Sequence, residues 1–158
     1  MTYSLVAVQV EELSFAVNPE VLSQKDAKID IRPEYMGNVV RDPNNEKIWI
    51  GQLMVRIVSK EGALSPYNLR VRITGVFQAE DLQDEADRRD LAYNMMEVVL
   101  PYLRSAAASL TANAFVRPLM LPVIPVDKLF PPEAIFSERG VMVPRKEEPA
   151  VKPSENLS

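Results

Sequence analysis

The sequence predicts an α+β fold, a four-stranded antiparallel sheet packed by one long kinked helix. Three observations lead there. Four runs rich in Val, Ile and aromatic residues fall at Ser4–Val17, Ala27–Tyr35, Lys47–Lys60 and Pro66–Ala79, which reads as four strands. The breaks between them, Asn18-Pro19, Arg41-Asp42-Pro43-Asn44-Asn45 and Glu61-Gly62, are short, and short breaks favour an antiparallel meander over parallel crossovers. From Leu91 to Asn113 the apolar period then changes from two to between three and four.

Taken in order, the fourth run is the cleanest strand. Leu69, Val71, Ile73, Gly75 and Phe77 share one parity, and Arg70, Arg72 and Thr74 the other, so one face is buried and one wet. The third run, KIWIGQLMVRIV, is apolar at both parities and suits a central strand covered for part of its length on both faces. Glu80–Asp90 is a charged, solvated helix start or loop. Leu91, Met95, Val98, Val99, Tyr102, Leu103, Ala106 and Leu110 then form one helical stripe. Pro101 lies inside it and predicts a kink or break in the preceding turn. The prolines from Pro118 to Pro132 forbid a long helix and leave room for a single turn at Asp127–Phe130. Residues 1–136 read as one domain, and 137–158, mixing Pro, Glu, Lys and Ser, as a loose tail.

Composition excludes most chemistry. The 158 residues contain no cysteine and no histidine, which removes thiolate nucleophiles, imidazole bases and the usual zinc ligands. A net charge of -4 is the wrong sign for a duplex-binding footprint. The five glycines stand singly, so there is no phosphate-cradling loop. The N-terminus lacks the basic, then apolar, pattern of a signal peptide, and no apolar run is long enough to span a membrane. The expectation is a cytoplasmic protein without a cofactor or metal.

The remaining clusters have ordinary readings beside functional ones. Glu80, Asp81, Asp84, Glu85 and Asp87, interleaved with Arg88 and Arg89, suit a solvated helix face better than a metal site. Glu11 and Glu12 are candidate contacts for a basic partner. Ala106, Ala107 and Ser109 lie in a small-residue stretch that suits close approach of another subunit. Periodicity alone favours core packing for Met95 and Met96. Methionine also suits surfaces that bind varied apolar partners, as do the apolar residues of the proline-rich segment.

The ordered set from Asn94 to Phe130 resembles the SecB protein-export chaperone family. The resemblance rests on Leu100-Pro101-Tyr102 with Arg104, then Ser109-Leu110, Phe115, Pro118-Leu119, Leu121-Pro122-Val123 and Leu129-Phe130. Upstream, Gly75-Val76-Phe77 is similar to the end of that family's fourth strand, and Val8-Gln9 and Leu13-Ser14-Phe15 are similar to its first strand.

The resemblance implies ATP-independent holding of unfolded or precursor polypeptides in apolar grooves by a dimer of dimers. Tyr93, Met95, Met96, Leu121, Val123, Ile124 and Phe130 become the candidate groove, and no catalytic residue is expected. Two departures stand out. Pro131-Pro132 stops a helix where the family continues into its second helix, so that helix is expected to be shortened or absent. Ala16 and Arg70 fall where the family's docking face for the export motor SecA carries acids, which weighs against that partner. A phage- or toxin–antitoxin-associated interaction protein on the same scaffold is the alternative.

Overall fold

The computed structural model describes residues 1–130. Strands β1 (Thr2–Val17), β2 (Glu34–Arg41), β3 (Ile48–Ile57) and β4 (Tyr67–Glu80) form one antiparallel sheet of order β1-β4-β3-β2. Helix α1 (Pro19–Leu22) follows β1, while α2 (Glu85–Asn113) and the single turn α3 (Val126–Leu129) follow the sheet. The expected α+β architecture is therefore present. β2, β3 and β4 form the meander, and the first strand returns to pair with the last.

The second strand lies later than Ala27–Tyr35. Pro33 cannot donate to a ladder, and Ile29 makes only an isolated bridge to Leu64. The pairing instead begins at Glu34, opposite Arg56, and runs to Arg41, opposite Trp49. Helix α2 also starts earlier than its apolar stripe. Asp84 caps it by accepting from the Asp87 N–H at 3.0 Å, which recruits the charged first turn. At the other end α2 runs unbroken through Pro101. That proline is on the exposed side, where water can serve the Glu97 carbonyl it leaves without a donor.

One sheet face packs under α2. Leu53, Val55 and Ile57 of β3, with Leu69, Val71, Ile73 and Phe77 of β4, are buried there against Leu91, Met95, Val99 and Leu103. Full burial of each such side chain contributes about 1.5–3 kcal/mol. Two glycines let the helix come close. A Cβ on Gly51 would lie 2.8 Å from Met96 Cε, and one on Gly75 would lie 2.8 Å from Val99 Cγ2.

The long strand β1 keeps its apolar residues on the α2 side by two interruptions of register, between Leu5 and Ala7 and between Val10 and Glu12. Each leaves an extra residue, Val6 and Glu11, and each reverses the alternation. Tyr3 and Leu5, then Val8 and Val10, then Leu13, Phe15 and Val17 thus pair with β4 residues of a single face. Phe15 packs on Tyr67 with ring centroids 5.1 Å apart, and burial raises the Tyr67 pKa.

The opposite face is polar toward one end. Glu34 accepts from Arg56 Nε and Nη2 at 3.0 and 2.8 Å, and Lys60 lies 3.5 Å away. Partial burial tends to raise the Glu34 pKa, but the bonds and charge of Arg56, with the charge of Lys60, hold it below the ordinary value. At an exposed edge Lys47 donates to Glu80 at 3.0 Å. That bond and its charge lower the Glu80 pKa and raise that of Lys47.

Candidate functional site

The proline-rich segment after α2 is held by polar side chains of the helix. Thr111 Oγ1 donates toward the Ala107 and Ala108 carbonyls, at 2.8 and 3.0 Å, and accepts from the Leu119 N–H at 2.8 Å. Nearly two turns earlier, Arg104 Nε donates to the Leu121 carbonyl at 2.9 Å. Leu119 and Leu121 are thereby buried, while Met120 and Val123 between and beyond them are 60% and 74% exposed. The segment ends on Phe130, whose carbonyl accepts from the Tyr93 hydroxyl at 3.1 Å. Its ring lies on Gly37, where a Cβ would come within 2.9 Å of Cζ.

The candidate groove residues are divided by this arrangement. Met95, Met96, Leu121 and Phe130 are buried in the chain's own core. Tyr93 and Ile124 are half-buried against it, and Val123 stands in solvent. Met95 and Met96 are under the helix because their stripe faces Gly51. The buried four support the surface from beneath.

The exposed apolar groups lie elsewhere as well: a row on β1 that a single period of two does not reveal, and Tyr102, which helical periodicity assigns to the apolar stripe of α2 but which stands at its exposed margin. Tyr3, Leu5, Val10, Leu13 and Val17 of β1 are each 37–50% exposed, because α2 lies mainly over β3 and β4. Tyr102 is exposed on α2, on the flank opposite the one that carries Arg104 and Thr111 to the loop. An alternation read across the two bulges would have found the β1 row. A single period of two loses it at Val6 and again at Glu11.

Of the three small residues proposed for subunit packing, Ala107 is buried beneath α2, Ala106 is half-buried and Ser109 faces outward. Glu11 and Glu12 are engaged within the sheet. Glu11 accepts from the Thr74 hydroxyl at Oε1 and from Gln52 Nε2 at Oε2, 3.1 Å away, and Arg72 Nε lies 3.3 Å from the same Oε2. Glu12 is 3.9 Å from Arg70. The face that offers these acids therefore carries matching arginines. Among the described residues no cluster of acidic groups has metal-site geometry, and no helix is long and apolar enough to cross a membrane.

Among the described residues, the exposed groups of the loop and of β1 are largely apolar, and the loop is fixed to the helix by hydrogen bonds, an arrangement suited to apolar contact. Comparison with known proteins bears on the family. The chain is 26% identical over 118 residues to the uncharacterized protein MJ0357 of Methanocaldococcus jannaschii, covering 74% of this chain and 75% of that one. Its fold is similar to that of the Mycobacterium tuberculosis Rv1957 SecB-like chaperone, solved in complex with a peptide from the Rv1956 HigA1 antitoxin. That match has a TM-score of 0.58 at 15% identity and covers 77% of this chain and 90% of the other. A Streptococcus agalactiae protein of unknown function aligns with a TM-score of 0.45 at 13% identity, over 78% and 98% of the two chains. The family profile described as preprotein translocase subunit SecB matches residues 2–134, and the chain belongs to the SecB family.

Proposed function

We propose that the protein is an ATP-independent holdase, binding apolar segments of non-native polypeptides without chemical turnover. The observation that carries this reading is the amount of large apolar side chain left in solvent on a well-packed fold: the β1 row, Tyr102, Met120 and Val123. The β1 row lines a single strand, and a run of exposed apolar side chains of that kind marks an interaction site on a soluble protein. Family membership supports the reading, as does the peptide bound by the mycobacterial SecB-like chaperone. Of the candidate groove residues, Val123 would meet the client and Tyr93 and Ile124 would stand at its margin, while Met95, Met96, Leu121 and Phe130, buried in the chain's own core, would support that surface from beneath.

The free edge of β1, with its apolar row, suits association with further copies in the cytoplasm, as a dimer or a dimer of dimers. Ser109 is the outward member of the small-residue stretch that would join such an interface. Docking of a basic partner such as SecA through Glu11 and Glu12 is the weaker reading, since both acids already face arginines. The test is aggregation of a chemically denatured model protein on dilution, with and without the full chain and in the absence of ATP. Suppression near stoichiometric ratio is expected. No suppression at several-fold excess would overturn the reading.

A further inference from the structure

We propose that Phe115 is a contact residue for the apolar segment of a bound non-native polypeptide, held in a left-handed backbone conformation that the fold requires and that a residue with a Cβ does not favour. The proposal rests on the holdase reading above and names a side chain within its surface. Helix α2 closes in a complete Schellman motif. The Phe115 N–H donates to the Ala112 carbonyl at 3.1 Å and the Val116 N–H to the Thr111 carbonyl at 3.3 Å. The motif requires left-handed backbone at the second residue past the helix. Glycine, or sometimes asparagine, normally stands there because a Cβ is crowded in that conformation. Here the position is Phe115, with φ 60.

No packing within the described chain offsets that strain. The residue is 98% exposed, whereas Val116 beside it packs against the core. Thr111 and Arg104 pin the loop beyond, so the ring is placed by a rigid frame and not by contacts of its own. A bulky aromatic where glycine would serve the fold better, and which the described residues barely touch, points to a use beyond the fold's own packing.

The surroundings indicate the occupant. Met120 and Val123 stand in solvent on the same loop, and from Ser105 to Val126 the sequence carries one charged residue, Arg117. So little charge complements an uncharged apolar segment better than a charged protein face. Met120, a flexible methionine exposed on the same loop, can accommodate side chains of varied shape.

The test compares the full-length wild type with Phe115→Gly and Phe115→Ala. The probe is fluorescently labelled α-lactalbumin, kept unfolded by reduction and alkylation. Phe115→Gly should raise the thermal midpoint by a few degrees by relieving the left-handed residue, yet weaken probe binding at least about fivefold, close to 1 kcal/mol. Phe115→Ala should weaken binding equally with little change in midpoint. If both variants bind as the wild type does, the proposal fails while the holdase reading stands. If the wild type does not bind, both fail. Loss of binding in the glycine variant alone would place the effect in the backbone and overturn the proposal. So would loss of binding accompanied by a drop in assembly size on sedimentation, which would mean that a second copy covers Phe115.

Discussion

Gly75 of β4 lies against Val99 of α2 so closely that a Cβ on the glycine would meet Val99 Cγ2 and Phe77 Cε2, each at 2.8 Å. Both neighbours are stiff and buried, so neither can move aside cheaply. Gly75→Ala should therefore cost about 1–3 kcal/mol by overpacking. At Gly51 the groups in the way are the terminal methyls of Met96 and Met95, which can swing clear. Gly51→Ala should cost less than about 1.5 kcal/mol. Urea midpoints of the two variants, measured side by side, check the order. A costlier Gly51→Ala would contradict the contact geometry.

Thr111 joins helix and loop through one hydroxyl. Replacing it by valine keeps the shape but leaves the buried Leu119 N–H without its acceptor, at a cost of about 1–3 kcal/mol. Hydrogen exchange at the Leu119 amide should accelerate strongly in Thr111→Val and hardly at all in Thr111→Ser. Equal protection in both would mean that something else holds the loop.

Glu34 gives the fold a pH dependence of known sign. Its native pKa is held below the ordinary glutamate value, so the stabilisation is fully present above that ordinary value and is lost as pH falls through the lower native one. After solvent screening the pair contributes about 0.5–1 kcal/mol. Wild type should exceed Glu34→Gln by that amount at neutral pH, and the two denaturation curves should converge once the pH is below the lowered native value. A gap that persists in acid would assign the effect to packing.

The β1 row can be tested by charge. Val10→Asp and Leu13→Asp place carboxylates on half-exposed positions, so each should change monomer stability by no more than about 1 kcal/mol. Both should reduce the sedimentation coefficient if β1 joins copies, and lower the capacity to suppress aggregation if it meets clients. Variants unchanged in both assays would remove β1 from the proposed surface.

Much of this molecule is legible in its residue order. The parity of β4 and the stripe of α2 predict which side chains meet, because a half-buried strand and a one-sided helix each carry their period openly. β2 was harder to place. Ile29 and Ile31 alternate like a strand, but a loop can bury isolated isoleucines equally well, and the ladder begins only past Pro33. The functional surface was the least legible. Met95 and Met96 carry adaptable side chains, yet their helical phase aims them at Gly51. Phe115 is prominent because of its backbone angle, which residue type does not encode. Glu11 looks like a free acid in the sequence, and the bulge brings it onto Thr74, Gln52 and Arg72.

The two extra residues of β1 act as punctuation in a strand that could otherwise be read in the wrong phase. Substituting Val6 or Glu11 leaves the count intact, so every other side chain keeps its face. Deleting either one would turn all the residues on its N-terminal side over, sending Tyr3 and Leu5 to the polar side of the sheet. Divergence along this edge should therefore proceed through exchange of residue types at constant length, and a gained or lost codon within β1 should be far more damaging than any single replacement there.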